Sequence, residues 1–241
     1  MRIVFIGSGE VALPTLSALH ASAYEITCVI TQPDRPSGRG RRLTATPVKR
    51  AALDLQLPVI SVQNINDPTA VENLRSKHAA VGVVIAFGQK IGPRALEAMP
   101  GGCINLHPSL LPKYRGAAPV PWAIIRGEPR TGVTVFKLVD RMDAGPILAT
   151  VDTPIGEAET AAELIARLAD LGRGAMMQAL HLFHDGHVPE GTAQNDASAT
   201  SAPKFSKQDG RLTFDEPAND IVNRINGLWS WPGATCRFLS A

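Results

Sequence analysis

Cys103-Ile104-Asn105-Leu106-His107-Pro108-Ser109-Leu110-Leu111-Pro112-Lys113-Tyr114-Arg115-Gly116 opens as a strand that stops abruptly. Side chains two apart on a strand share a face, so Asn105 and His107 are neighbours on one side while Ile104 and Leu106 turn the other way, into packing. Pro108 has no N–H to give to a sheet ladder and ends the strand directly after the histidine. Two polar side chains therefore stand at the carboxyl end of a strand, where open α/β sheets place their ligand sites. A third polar group, Asp143, lies in Met142-Asp143-Ala144-Gly145-Pro146, between β-rich segments at Thr131–Leu138 and Pro146–Asp152.

Around this stretch the chain repeats strand and helix signals. Hydrophobic patterning predicts strands at 2–6, 26–31, 58–61, 80–86 and 102–107, and helices near 11–22, 47–56, 68–77 and 118–126. Such alternation implies the α/β class, a mostly parallel sheet with helices on both faces. The longest apolar run, Ala79 to Phe87, is far shorter than the ~20 residues that cross a bilayer and fits a central strand buried on both faces. The N-terminus enters Arg2–Ile6 without the basic, apolar and small-residue succession of a secretory signal, so a cytoplasmic location with no membrane partner is expected. A helix over 160–184, apolar at three and four spacing, should close a first domain at 1–192. The polar run Ala193–Pro203 reads as loop, giving a linker at 193–206. Residues 207–241, with Ile221, Ile225 and Leu228 on one helical face, begin a second unit.

With 241 residues, 44% of them hydrophobic, the chain can bury a sizeable core. Cys28, Cys103 and Cys236 are odd in number and without Cys-x-x-Cys spacing, which points to neither a disulfide framework nor a zinc site. His181, His184 and His187 have helical spacing, but Gly186 should end the helix before His187 and no carboxylate or cysteine completes a ligand set, so no metal is expected. The net charge is only +2, yet residues 34–50 gather Arg35, Arg39, Arg41, Arg42, Lys49 and Arg50 against the single carboxylate of Asp34. A basic cluster on an otherwise near-neutral chain suits a phosphate-bearing partner. Two prolines, two glycines and four arginines within 33–46 exclude a buried strand or a stable helix there, and the loop reads as a mobile arm without structure of its own.

Asn-Leu-His-Pro-Ser-Leu-Leu-Pro at 105–112, Tyr-Arg-Gly-Ala-Ala-Pro at 114–119, Met-Asp-Ala-Gly-Pro at 142–146 and the loop from Gln32 to Arg42 follow one another as in the methionyl-tRNA formyltransferases, and the chain resembles that family from Met1 to about Arg237. The resemblance implies a Rossmann-like catalytic domain, with Asn105, His107 and Asp143 as catalytic residues and 10-formyltetrahydrofolate as co-substrate. It also implies folate contacts from Ser109, Leu110, Leu111 and Pro112 and from the backbone near Phe87, Gly88, Gln89, Asp140, Arg141 and Met142. Initiator methionyl-tRNA is the implied partner, held by Arg35, Arg39, Arg41 and Arg42, and a monomer is expected. The family's second domain is a small β-barrel that helps hold tRNA; 207–241 is too short and too helical to close one, so an incomplete barrel domain is expected.

Formyl transfer explains the residue types. An amine attacks the formyl carbon, an oxyanion develops, and the leaving nitrogen takes a proton. Asn105 can donate its amide to the oxyanion. His107 can act as general base and acid, and Asp143 can orient the imidazole and favour its charged form. Other readings stay open. Related formyltransferases act on a ribonucleotide or an amino sugar, or hydrolyse the formyl donor, and a tRNA-binding module without catalysis is a non-enzyme alternative. Gly7-Ser8-Gly9-Glu10-Val11-Ala12 fits a dinucleotide turn, with Asp34 at the distance of a ribose-gripping acid, which admits an oxidoreductase. Hydride chemistry, however, gives Asn105, His107 and Asp143 no task.

Overall fold

The computed structural model describes residues 1–38, 40–184 and 186–237. Its first half alternates strand and helix: β1 (Arg2–Gly7), α1 (Leu13–His20), β2 (Glu25–Thr31), a short pair β3 (Arg35–Ser37) and β4 (Arg42–Thr44), α2 (Pro47–Asp54), β5 (Val59–Ser61), α3 (Pro68–Ser76), β6 (Val81–Ile85), α4 (Pro93–Leu96) and β7 (Cys103–His107), of which the patterning predicts all but β3, β4 and the one-turn α4. Then follow α5 (Pro119–Ile125), β8 (Arg130–Lys137), β9 (Ile147–Pro154), α6 (Ala161–His181) and α7 (Ala218–Leu228). One sheet of seven strands runs β5-β2-β1-β6-β7-β8-β9. Its first five strands are parallel, and the β8–β9 hairpin adds antiparallel to the β7 edge. The order reverses between β1 and β6, the switch point at which chains leave for opposite sides of the sheet.

Two apolar layers sandwich the parallel strands. On one face Ile3, Phe5, Val83, Ile104 and Leu106 pack with α1, α2, α5 and α6; on the other Val4, Ile6, Val84 and Cys103 pack with α3 and α4. Every residue of β6 is buried, as a central parallel strand requires. Thr160 caps α6 with the reciprocal Thr160–Glu163 pairing that its Thr-x-x-Glu spelling announces. The helix ends at His181, three residues before the predicted boundary, so His184 and His187 stand beyond it.

The loop 33–46 differs from its reading. It folds into an exposed antiparallel hairpin, Arg35 opposite Thr44 and Ser37 opposite Arg42, with Gly38 at φ 70° helping the turn. An exposed two-stranded ribbon needs no buried apolar face, which is why hydrophobic patterning misses it. Its base is fastened to the domain: Lys49 pairs with Asp34 at 2.8 Å, and the hydroxyls of Thr31 and Thr46 meet at 2.6 Å.

At the other end, 207–237 form a 3-10 turn, α7 and a short parallel bridge from Arg211 to Thr235. Helix α7 lies on α5, where Gly227 sits so close that a Cβ would come within 2.6 Å of Ile125. Where α6 crosses β7, Gly172 faces Leu106 in the same way, and a Cβ there would meet a Leu106 methyl at 2.4 Å. Replacing Gly172 with valine should overpack this crossing and cost about 1–3 kcal/mol of stability, read as an earlier urea midpoint. An unchanged midpoint would mean that α6 does not approach β7 there.

Candidate active site

Asn105 and His107 lie on one face of β7, roughly 6–7 Å apart along the strand, and Ile104 and Leu106 fill the core on the other. Asp143 comes from the β8–β9 loop, which folds back over the sheet. Gly145 makes that return possible, because a Cβ at this position would collide with the Lys137 carbonyl. Asp143 itself sits at φ 50° and accepts the Gly116 N–H at 2.8 Å. Its Oδ2 stands 3.8 Å from His107 Nδ1, too far for a direct hydrogen bond and wide enough for a proton carried by substrate or water.

The other imidazole nitrogen is engaged: His107 Nε2 lies 2.8 Å from the carbonyl oxygen of Tyr114. A carbonyl only accepts, so Nε2 carries the proton, and in the neutral ring Nδ1 is left as a bare lone pair facing Asp143. His107 is 4% exposed. Burial, the largest influence, drives its pKa down, against the upward pull of Asp143 and then of the Tyr114 carbonyl, and the net direction is below the ordinary value. The expectation that Asp143 would leave the ring favouring its charged form is thus reversed in the free protein. Desolvation of a nearly sealed imidazole outweighs one carboxylate across a gap. The edge of the ring also meets Phe136 at 89° and 6.4 Å between centroids.

Tyr114 is held from three sides. Its φ is 60°, its N–H donates to Thr200 Oγ1 at 2.8 Å, and its phenol donates to Glu128 at 2.7 Å. Burial first, then the bond to Glu128, pushes that phenol up to about 12, so it stays a donor. Positive φ at Tyr114, Asp143 and Ala86 brings three strained non-glycine residues to one region, the usual place for stored backbone strain.

The stretch 193–206 is no free tether. The Ala202 N–H donates to the Arg115 carbonyl, the Arg115 N–H donates to the Thr200 carbonyl and the Thr200 N–H to that of Pro112, and Trp122 donates to the Pro203 carbonyl and stacks on Phe205 at 4.7 Å. The Gln194 carboxamide donates to the carbonyls of Asp143 and Gly145 and accepts from Arg115. Polar residues and a missing hydrophobic period give this segment the spelling of a linker; its order comes from backbone pairing, which leaves no pattern in sequence.

The folate candidates divide. A Lys90–Asp140 ion pair at 2.6 Å joins the loop after β6 to the β8–β9 loop, so Phe87, Gly88, Gln89, Asp140, Arg141 and Met142 lie on adjoining loops. Gly88, at φ 81°, is exposed but packs its Cα side against the Gln32 carboxamide, where a Cβ would come within 2.6 Å, and Met142 is 70% exposed. The Phe87 side chain, by contrast, is core, Gln89 clamps the backbone of Val62, Gln63 and Ile65, and Arg141 pairs with Asp196. Ser109 is buried and donates to the Lys113 carbonyl, Leu111 is buried, and Leu110 and Pro112 border a separate open cavity of about 380 Å³ beside Tyr114 and Glu128. Arg35, Arg41 and Arg42 are exposed on the hairpin; Arg39 lies outside the described residues. Asp34, the candidate ribose acid, is occupied by Lys49, and the Gly9 N–H is taken by the Ala86 carbonyl, which leaves the glycine turn committed to the sheet. Sequence reasoning missed Tyr114 as the ring's anchor, although Tyr114-Arg115-Gly116 lies inside the quoted motif, and Gln194 and Thr200 had no signal at all.

The family model described as "Formyl transferase" matches residues 1–180, and that for the "Formyl transferase, C-terminal domain" matches 204–240. A methionyl-tRNA formyltransferase of Solibacter usitatus is 46% identical over 239 residues, 99% of this chain and 76% of that protein. One from Syntrophus aciditrophicus is 44% identical over 234 residues, 97% of this chain and 75% of its own length. Among solved structures, HypX from Aquifex aeolicus in complex with tetrahydrofolic acid superposes with a TM-score of 0.72 at 17% identity, over 98% of this chain and 36% of that one. A likely sugar N-formyltransferase from Mycobacterium tuberculosis gives 0.71 at 20% identity, over 98% and 91%. These two likenesses establish the fold alone. From the matched sequence models and the curated relatives it follows that the chain belongs to the methionyl-tRNA formyltransferase family.

Proposed function

We propose that this chain transfers the formyl group of 10-formyltetrahydrofolate to the α-amino group of methionyl initiator tRNA. The observation that carries the reading is a buried histidine whose free Nδ1 faces an aspartate across 3.8 Å, in a chain 46% identical to a methionyl-tRNA formyltransferase over nearly its whole length. The amine nitrogen attacks the formyl carbon while His107 Nδ1 takes the proton the amine loses. Asn105 donates its amide N–H to the oxyanion of the tetrahedral intermediate. The imidazolium then gives the proton to the leaving N10 as the carbon–nitrogen bond to the folate breaks, which returns a neutral histidine and releases formyl-methionyl-tRNA and tetrahydrofolate. Asp143 stabilises the transient imidazolium. No helix among the described residues is long and apolar enough to cross a membrane. Formylation of charged initiator tRNA, set against donor hydrolysis alone and against amino-sugar and ribonucleotide acceptors, tests the substrate; release of formate without formyl-methionyl-tRNA would refute it.

His107→Ala and Asn105→Ala should each slow the chemical step about a hundredfold or more while folate binding changes little, as expected for one acid–base or one oxyanion group. Single-turnover kinetics and folate titration check this, and wild-type turnover in either variant would remove its residue from the mechanism. Because His107 works as a base from its neutral form, and burial holds its pKa down, kcat/KM should be full at neutral pH. It should fall only as pH drops through an apparent pKa below 6.5. A limb at or above the ordinary value would contradict the burial argument.

The exposed arginines on the hairpin are suited to phosphate. Changing Arg35, Arg41 and Arg42 to alanine should weaken tRNA binding and flatten its salt dependence, each lost phosphate contact lowering the slope by roughly one. An identical slope in wild type and triple variant would leave the hairpin as ordinary surface.

A further inference from the structure

We propose that Gln194 is a positioning residue for formyl transfer, fixing Asp143 against His107 through the two carbonyls of the Asp143–Gly145 turn. The inference rests on the activity proposed above.

The geometry is specific. Gln194 Nε2 donates at 2.9 Å to the Asp143 carbonyl and at 2.8 Å to the Gly145 carbonyl, while Oε1 accepts from Arg115 Nε at 3.1 Å and Nη2 at 2.6 Å. All the carboxamide's hydrogens and its oxygen are used, so the amide orientation is determined by its partners. Arg115 is held in turn by Asp196 at 2.8 Å and is paired along the backbone with Thr200 and Ala202. Asp143 needs such a hold. It occupies a left-handed φ of 50°, a strained conformation for a residue with a Cβ that persists where surrounding bonds over-determine it. The Gly116 N–H fixes its carboxylate and Gln194 fixes its backbone. A residue from the stretch with the sequence of a linker therefore completes the site.

Asp143 is the charged group that faces the imidazole. The Tyr114 carbonyl and the edge-on Phe136 ring, both uncharged, also face it. Loosening Asp143 removes an influence that raises the His107 pKa, so the acid limb of the rate should move to lower pH. A residue that merely docks the segment would leave that limb in place.

Gln194→Leu removes donors and acceptor at similar volume, and Gln194→Glu keeps an acceptor for Arg115 but turns a carboxylate on two carbonyls. Single-turnover formylation of methionyl-tRNA by the full chain, followed across pH, should show kcat lowered about ten- to hundredfold in both variants. KM for the formyl donor should change less than kcat, and in Gln194→Leu, which adds no charge near the imidazole, the acid limb should shift downward. Wild-type kcat in either variant, or a loss of rate in Gln194→Leu with the limb unmoved, would overturn the role of Gln194. If the wild-type chain itself forms no formyl-methionyl-tRNA, the parent reading fails instead, and the two failures are told apart.

Discussion

Everything at the candidate site depends on one hydrogen bond, from His107 Nε2 to the carbonyl oxygen of Tyr114. The strand alone could not set the ring's chemistry. A buried imidazole without that acceptor would be free to carry its proton on either nitrogen, and the nitrogen that faces Asp143 would then be a donor in half the arrangements. With the carbonyl in place, burial keeps the ring neutral and geometry decides which atom is basic. The fold's investment follows from this. Pro108 ends the strand, the following loop turns back through a left-handed Tyr114, and a segment more than eighty residues further on bonds the tyrosine's N–H.

A second constraint is closure of the β8–β9 loop. Asp143 reaches the imidazole only because Gly145 lets the chain pass the Lys137 carbonyl and because Gly116 and Gln194 satisfy the turn's polar groups. Two loops that each hold a left-handed residue are joined by Arg115, Gln194 and Thr200, so the strain at Tyr114 and Asp143 is shared by one bonded unit. The parallel sheet supplies the rigid floor, and the rim is fastened by polar pairing in place of apolar packing. That division suits a site which must stay open to two large substrates.

The legible part of this structure was the part governed by hydrophobic period and covalent restriction. β6 could be read because an apolar run of that length fits a doubly covered strand, and the end of β7 because proline cannot continue a ladder. The co-facial placement of Asn105 and His107 follows from strand geometry and was available from spacing alone. The Arg35–Thr44 hairpin was missed because it buries nothing, and the order of 193–206 because it rests on backbone bonds to Arg115, Pro112 and Ala118 that any polar sequence can make. The protonation preference of His107 was read with the wrong net direction, since a sequence shows that Asp143 is near but not how completely the ring is sealed. The split among folate candidates has the same origin: motif position cannot say that the Phe87 side chain turns into the core while the neighbouring Gly88 stays exposed.

The central claim is that a neutral, Nε2-protonated His107 offers Nδ1 as the base. Nitrogen-15 NMR of the histidine ring in the free protein, assigned by comparison with His107→Gln, measures this directly. At pH 7 the account predicts one neutral tautomer, with the proton on Nε2 and an unprotonated Nδ1. A ring protonated on Nδ1, or an imidazolium at that pH, would contradict it.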